Sequence, residues 1–231
     1  MKTKNREKEI KKFFNERIRK FGYDKFPSEI GKGNFAGQAI LQFLKSSIDA
    51  KNRKILDAGC GEGRFSRYFI ESGANIVSMD FSEEYINLDK KNIKGGKFVV
   101  GSVTSIPFPD SSFDYVFTVD VLQHVPELKK ALSEFRRVLK KGGTLIIVDK
   151  NKWGLNPRFM IPQIFIQKYR ELTQWRYSEF RERWFVPEKF RRTIGNYFND
   201  AKYTYIVEKN KRGIFRKFPK LNFFTAWTAK K

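Results

Sequence analysis

One stretch constrains the fold of this chain more than any other: an apolar run that ends in an acid, followed by three alternating glycines. It reads Ile-Leu-Asp-Ala-Gly-Cys-Gly-Glu-Gly over residues 55–63, and a second apolar run, residues 76–79, leads to Asp80. Glycine tolerates the positive φ of a tight turn and lets a ligand approach the backbone closely. The layout predicts a strand–turn–helix unit that binds an adenosine group, with the Asp80 carboxylate accepting hydrogen bonds from ribose hydroxyls.

The same spacing argues against two other kinds of nucleotide site. A dinucleotide-binding turn has a third Gly or Ala where this chain has Arg64. The chain also has no Gly-Lys-Ser/Thr sequence, so a phosphate-binding loop of the NTPase type is excluded.

Residues 55–63 resemble the first motif of the class I S-adenosylmethionine (SAM) dependent methyltransferases, and later blocks are similar to that family in the same order. Residues 99–108 resemble the family's third strand and adenine loop, and residues 112–116 resemble the entry to its fourth strand. Residues 122–125 and 134–145 resemble the helix and turn that lead into its fifth strand. Two positions depart from the family pattern. Ser102 stands where the family usually has Asp, and Lys141 stands where proline is common.

The resemblance implies SAM as the cofactor, S-adenosyl-L-homocysteine as its product and an α/β fold. We expect a Rossmann-like, seven-stranded, mostly parallel sheet with helices on both faces, an N-terminal helical cap and an aromatic-rich insertion after strand five. The family's cofactor contacts, carried over by position, fall on Asp57, Gly59, Cys60, Gly61, Gly63, Asp80, Phe81, Ser102, Val103, Asp120 and Val121.

A chain of 231 residues with 40% hydrophobic content can bury one full core, so we expect a single methyltransferase domain over residues 1–231. Within it we expect a helical cap (1–50), a SAM-binding core (51–150), a substrate-side insertion (151–186), and a last helix with a terminal antiparallel strand pair (187–231). Strands are predicted near residues 53–57, 76–80, 97–100, 114–119, 144–149, 202–208 and 222–228. Ser82 is predicted to cap a helix and Pro187 to begin another.

The N-terminal segment is predicted to be an amphipathic helix. Ile10, Phe13, Phe14, Ile18 and Phe21 recur at spacings of three and four, with lysines and arginines between them. Such a helix can pack its apolar stripe on the core as a cap, which is the interpretation we favour. It can also lie in the headgroup layer of a membrane.

The net charge of +22 is concentrated on the flanks of the predicted core. Residues 1–20 carry +6 and residues 150–231 carry +14, whereas residues 21–149 carry only +2. If the flanks gather over the carboxyl ends of the strands, they form basic walls that attract an anionic substrate. The alternative is a solvated basic surface without a binding role.

The candidate substrate-binding residues lie on these flanks. Lys150 and Asn151 follow strand five, and aromatic residues interleaved with arginines suit planar or anionic groups through stacking and bidentate hydrogen bonds. The same pattern suits RNA bases, or a lid that packs its aromatics inward. The further candidates are Arg176, Tyr177, Arg181, Arg183, Trp184, Arg212 and Arg216.

Methyl transfer from a sulfonium depends mainly on holding the acceptor in line with the methyl group, so a general base is needed only for some acceptors. His124, the only histidine, follows strand four and is the candidate catalytic base. A packing role for this histidine is the competing interpretation.

Several functions are excluded by composition. The one cysteine, Cys60, lies in the glycine turn, so a disulfide within the chain and the nucleophilic cysteine of cytosine-C5 methylation are ruled out. An Asn/Asp-Pro-Pro-Tyr block for adenine-N6 methylation is missing after strand four, and one histidine with one cysteine cannot form a zinc cluster, so no metal is expected. The charged N-terminus and short apolar runs predict a cytoplasmic protein, with peripheral contact to the inner face of the membrane as an alternative.

The sequence therefore predicts a SAM-dependent methyltransferase acting on an oxygen or nitrogen atom of an anionic small molecule, such as a phosphorylated, nucleotide-linked or lipid-linked sugar. The alternatives are a tRNA or other RNA methyltransferase, a membrane-associated quinone or lipid methyltransferase, and a catalytically silent interaction subunit with the same fold. The oligomeric state is not specified by the sequence.

Overall fold

The computed structural model describes residues 2–21, 35–155, 161–162, 164–165, 169, 182–207 and 214–231. Its helices are α1 (Lys2–Phe21), α2 (Phe35–Ser47), α3 (Arg64–Glu71), α4 (Glu83–Asn92), α5 (Leu128–Val138), α6 (Pro187–Gly195) and α7 (Ile214–Lys217). Its strands are β1 (Lys54–Ala58), β2 (Asn75–Asp80), β3 (Lys97–Val100), β4 (Phe113–Val119), β5 (Leu139–Lys150), β6 (Asn199–Ile206) and β7 (Phe224–Lys230). Short 3₁₀ turns cover Leu122–His124 and Pro219–Leu221.

The seven strands form one sheet in the order β3-β2-β1-β4-β5-β7-β6. Strands β1 to β5 are parallel, and β7 pairs antiparallel with both β5 and β6. The chain leaves β1 toward β2 on one side and returns to β4 on the other. This reversal of strand order opens a crevice at the carboxyl ends of β1 and β4, the place where open α/β sheets bind ligands. The predicted fold class is confirmed.

Both faces of the sheet are covered, because successive side chains of the central strands alternate between two apolar clusters. On one face Leu56 and Ile147 pack with α5 and α6, through residues such as Phe135. On the other face Ile55 and Ile146 pack with α2 and α3. A parallel sheet needs helices on both faces because its strands are apolar on both sides. These helices also set the position of the carboxyl ends of the strands.

Three of the strands, β5, β6 and β7, differ from their predicted bounds. Strand β5 begins directly after α5 at Leu139, because Leu139 already pairs with Phe113, and the ladder resumes at Thr144 opposite Tyr115. The intervening residues bulge around Gly142, which has a φ of 75°. Strands β6 and β7 also lie a few residues from their predicted positions, and a register shift interrupts β6 between Asn199 and Lys202. The predicted helix starts at Ser82 and Pro187 are confirmed.

Helix α1 packs against the domain with its apolar face. Ile10 is buried, and the Phe14 ring contacts the rings of Phe81 and His124 at centroid distances of 6.1 Å and 5.3 Å. The helix is also joined to α4, since Arg19 Nε donates to Glu84 Oε1 at 3.1 Å. The apolar stripe therefore caps the carboxyl edge of the sheet. Within the described residues, no helix has the length and apolar character needed to cross a membrane.

Candidate cofactor and active site

The glycine turn between β1 and α3 has the backbone conformation that its sequence requires. Gly59, Gly61 and Gly63 have φ values of 92°, 52° and 63°, and the amides of Gly59 and Cys60 donate to the Met79 carbonyl at 2.7 Å and 3.0 Å. A Cβ at Gly59 would meet Val121 Cγ2 at 2.4 Å, whereas a Cβ at Gly61 would meet nothing within 4 Å. The turn is thus packed at its first glycine and open at its second, where a ligand can lie against the backbone.

Asp80 anchors this turn from the end of β2. Its Oδ2 accepts from the Gly61 amide at 3.0 Å, and its Oδ1 accepts from the Ser82 amide at 2.9 Å. Burial raises the pKa of this carboxyl to about 6, although hydrogen bonds from the amides of Ser82, Gly61 and Phe81 and the charge of Lys11 act in the opposite direction. A carboxylate has about four acceptor positions, so the hydrogen bonds from amides leave acceptor capacity for a ribose.

Asp57 and Cys60 lie beneath the turn and are buried. Asp57 Oδ2 accepts from Ser66 Oγ at 2.6 Å, and Ser66 in turn accepts from Ser78 at 2.7 Å. Burial, with a smaller contribution from the Asp80 charge, raises the pKa of Asp57 to about 7. Burial likewise raises the pKa of the Cys60 thiol, which lies 3.7 Å from a carboxylate oxygen of Asp89. These two residues support the turn from behind.

The loop after β3 is held by helix α1. Ser102 Oγ donates to Glu7 Oε1 at 2.5 Å, and Thr104 Oγ1 donates to the same oxygen at 3.3 Å. Val103 is buried in the main apolar cluster. The carboxylate that this loop lacks in sequence is therefore brought to it by a residue almost a hundred positions away.

The segment after β4 forms the opposite wall. Asp120 has a φ of 61°, a strained conformation of the kind that often marks a functional loop. Its Oδ1 accepts from Gln123 Nε2 at 2.6 Å, and the same amide nitrogen lies 3.0 Å from His124 Nε2. Since an amide nitrogen only donates, His124 Nε2 accepts this hydrogen bond. Gln123 Oε1 is buried without a hydrogen-bond partner among the described residues.

Lys150, at the end of β5, is the centre of a partly buried charge cluster. Its Nζ lies 3.1 Å from Glu182 Oε2 and 3.7 Å from Asp120 Oδ1. Burial lowers the Lys150 pKa, but the charges of Asp120 and Glu182 outweigh it, so the pKa lies above its ordinary value. Burial opposes ionisation of Glu182, yet the Lys150 charge brings its pKa below the ordinary value. Trp184 Nε1 also donates to Glu182, at 2.9 Å.

The other predicted substrate residues are placed less uniformly. Asn151 is buried and donates to the carbonyls of Lys220 and Asn222, which is a structural contact. Arg183 is exposed and donates to the carbonyls of Val125 and Pro126 at 3.4 Å, beside His124. Arg216 is exposed on α7. Four further candidates lie outside the described residues: Arg176, Tyr177, Arg181 and Arg212.

Three contacting residues were not predicted from the sequence: Glu7, Gln123 and Glu182. Gln123 stood within a block that resembles the family, which was a signal. Glu182 is an acid in a stretch of arginines and aromatics, and this is only a weak signal for a functional residue. Glu7 had no local signal, because its contact depends on how α1 docks. Within the described ranges, no group of three or more His, Cys, Asp or Glu side chains could hold a metal ion.

Comparison with known proteins agrees with this geometry. Residues 56–147, which include the glycine turn, Asp80, Ser102 and Asp120, match the family described as a methyltransferase domain. A SAM-dependent methyltransferase of Thermotoga maritima has the same fold, with a TM-score of 0.70, 21% identity and coverage of 95% of this chain and 99% of that one. Residues 56–147 therefore match a methyltransferase domain, and they lie in a fold that the chain shares with a SAM-dependent methyltransferase.

Curated relatives share the domain but differ in their names. An uncharacterised protein of Methanocaldococcus jannaschii is 36% identical over 153 residues, 64% of each chain. The demethylmenaquinone methyltransferase of Renibacterium salmoninarum is 36% identical over 97 residues, 42% of this chain and 41% of that protein. This chain spans less than two thirds of the length of these relatives. Other relatives are named for malonyl, fatty-acid and sterol methylation, so the substrate differs among them.

Proposed function

We propose that the protein is a SAM-dependent methyltransferase that transfers a methyl group to an oxygen or nitrogen atom of an anionic small molecule. The observation that supports the activity is the hydrogen bond between the Asp80 carboxylate and the Gly61 amide, at the carboxyl ends of β1 and β2. It places an acceptor for ribose hydroxyls directly beside an open glycine turn, inside the residues that match the methyltransferase domain.

When bound, SAM supplies an electrophilic methyl group together with its own leaving group. The chain's residues act by holding the two reactants in line and apart from water. The turn over Gly59–Gly63 would hold the amino-acid end of the cofactor and Asp80 its ribose. Phe14 and Phe81, whose rings are in edge-to-face contact, line the site on the side of α1. A role for His124 as the base requires its hydrogen bond with Gln123 to be given up.

The proposal of an anionic substrate rests on the charges around the crevice. Lys150 is neutralised by Asp120 and Glu182, so its charge is already compensated within the protein. The outer surface of α1 instead presents a shallow groove bordered by four basic residues, Lys8, Lys11, Lys12 and Arg19, together with Asn15 and Glu16. Lys12 pairs with Glu16 and Arg19 with Glu84, so the excess positive charge of the groove comes from Lys8 and Lys11. Basic walls of this kind raise the local concentration of small anions.

A second candidate is a quinone or lipid acceptor at a membrane surface. Trp153, Phe165, Tyr169 and Phe218 are large apolar side chains that are at least half exposed in the described residues after β5 and β6. Exposed aromatic rings beside lysines are typical of surfaces that enter a headgroup layer. A relative named for demethylmenaquinone supports this candidate as well.

The test is transfer of labelled methyl groups from SAM to three acceptor sets: phosphorylated and nucleotide-linked sugars, demethylmenaquinone in anionic vesicles, and bulk tRNA. We expect methylation in the first set with a shallow salt dependence. A single-stranded polyanion would lose affinity with a log–log slope of about 0.7 per phosphate contacted. Methylation confined to the vesicles would favour the second candidate, and steep salt-dependent methylation of tRNA would favour an RNA enzyme. No transfer to any set, with SAM bound, would contradict both proposed acceptor classes.

A matched pair of charge variants locates the substrate surface. Lys8→Glu combined with Lys12→Glu reverses two exposed charges on α1, whereas Lys97→Glu combined with Lys141→Glu makes the same change at the opposite, amino-terminal edge of the sheet. We expect the first pair to raise the KM for an anionic acceptor about threefold to tenfold, and the second to leave it unchanged. Equal effects of the two pairs would refute a substrate surface on α1.

A further inference from the structure

Helix α1 brings a carboxylate to the loop after β3, which has no acid of its own. Residues 101–106 read Gly-Ser-Val-Thr-Ser-Ile and contain no acid. Two hydroxyls of this loop, Ser102 Oγ and Thr104 Oγ1, both donate to Glu7 Oε1, at 2.5 Å and 3.3 Å. They lie 2.9 Å from each other, so together they fix the position of the carboxyl group.

The order of the strands indicates which part of a bound cofactor would lie beside this group. Strands β1, β2 and β3 are neighbours in the sheet, and each ends at the crevice. An adenosine whose ribose is bound by Asp80, after β2, has its amino-acid substituent over the glycine turn after β1. Its base then extends over the next strand outward, β3, whose loop holds Ser102. This placement rests on the proposed function.

We propose that Glu7 is a cofactor-binding residue, which accepts a hydrogen bond from the exocyclic amino group of adenine. Both hydroxyl donors use Oε1, and Glu7 Oε2 accepts no hydrogen bond from the part of the chain that the structure describes. An ionised carboxylate accepts strongly from an amino group and repels a carbonyl oxygen at the same position. Glu7 therefore makes the site select a 6-aminopurine over a 6-oxopurine.

The proposal gives α1 a second role besides covering the site. If Glu7 contacts the base, cofactor binding and docking of α1 stabilise each other, because a ligand stabilises the state to which it binds better. The helix does not depend on Glu7 for its position. Asn15 Oδ1 accepts from Ser82 Oγ at 2.6 Å, Arg19 pairs with Glu84, and Phe14 packs on Phe81. A substitution at Glu7 can therefore test recognition with the helix still docked.

The experiment compares two ligands on the full chain by calorimetry: S-adenosylhomocysteine and its 6-oxo analogue, S-inosylhomocysteine. The variant Glu7→Gln keeps the size of the side chain, and Glu9→Gln makes the same charge change at an exposed position of the same helix. We expect the wild type and Glu9→Gln to prefer the amino ligand at least about tenfold. In Glu7→Gln the preference should fall below about threefold, since an amide can accept from an amino group and also donate to a carbonyl oxygen.

The outcomes separate recognition from docking. If Glu7→Gln weakens both ligands by the same factor, Glu7 only holds α1 in place and the inference is wrong. Unchanged affinity for both ligands would refute it as well. If the wild type binds neither ligand, the cofactor site itself is refuted and the proposed function fails with it. A lowered ratio accompanied by unchanged rates of amide exchange in α1 would support the inference most strongly.

Discussion

Replacing Asp80 with asparagine is expected to remove a pH dependence from cofactor binding. Burial raises the pKa of Asp80 to about 6 in the unliganded protein. Ribose hydroxyls donate to the ionised carboxylate, so the binding-competent fraction follows its ionisation. With a pKa of about 6, about one molecule in eleven is ionised at about pH 5 and nearly all are ionised at about pH 7.5. The affinity of the wild type for S-adenosylhomocysteine should therefore rise about tenfold between these pH values.

The assay is isothermal titration calorimetry at both pH values for the wild type and Asp80→Asn. The variant should bind more weakly at the higher pH, by about 1.5–3 kcal/mol for the lost charge-assisted hydrogen bonds, and its affinity should vary little with pH. The difference between the two proteins removes any titration of the ligand itself. A tenfold pH dependence that persists in Asp80→Asn would refute the placement of the ribose on Asp80, as would a wild-type affinity that is independent of pH.

Ionisation of the same carboxyl favours cofactor binding but lowers the free energy of unfolding of the unliganded protein. Its folded pKa of about 6 lies above the ordinary value of 3.8, so the folded state binds the proton more tightly than the unfolded chain does. This stabilisation is complete below about pH 4 and is lost as the pH rises through about 6. Asp80→Asn should therefore increase the free energy of unfolding at about pH 7.5, by at most about 3 kcal/mol, while it weakens the cofactor. Denaturant titration of the unliganded protein measures this effect.

Two further predictions concern the walls of the crevice. Gly59→Ala should destabilise the fold by about 2–4 kcal/mol, because it adds a clash with Val121 to backbone strain. Gly73→Ala, with a positive φ but open space around its Cβ, should cost about 1 kcal/mol. Equal losses of stability in urea titrations would refute the contact, and Val121→Ala should recover part of the loss at Gly59 only. Ser102→Asp should weaken S-adenosylhomocysteine binding at least about threefold, because it places a second carboxylate against Glu7. Adding Glu7→Gln should restore the binding. Tighter binding by the single variant in calorimetry would contradict the contact between residues 102 and 7.

The fold could be predicted to a large extent from the sequence because its signals are local. The run before Asp57, the alternating glycines and the run before Asp80 specify two parallel strands and the turn between them, and these contacts are observed. The bounds of β5 were less predictable. Its early start depends on Leu139 pairing with Phe113 across the sheet, a tertiary contact that no window of sequence contains.

The candidate site was predicted where it is built by one βαβ unit and missed where it joins distant segments. Glu7 meets Ser102 only because α1 docks on the domain, and the charge of Lys150 is compensated only because Glu182 folds back beside it. This partner was not predicted from the sequence, and the role of Lys150 in binding an anion stays a prediction. The roles of Arg176, Tyr177, Arg181 and Arg212 remain sequence predictions, since these residues lie outside the described ranges.

A crystal structure with S-adenosylhomocysteine tests the central claim most directly. We predict both ribose hydroxyls within hydrogen-bond distance of the Asp80 carboxylate and the amino-acid end against the turn over Gly59–Gly63. The sulfur should face the segment that holds His124. The ligand bound elsewhere on the chain, or bound in this crevice with its ribose away from Asp80, would contradict this placement.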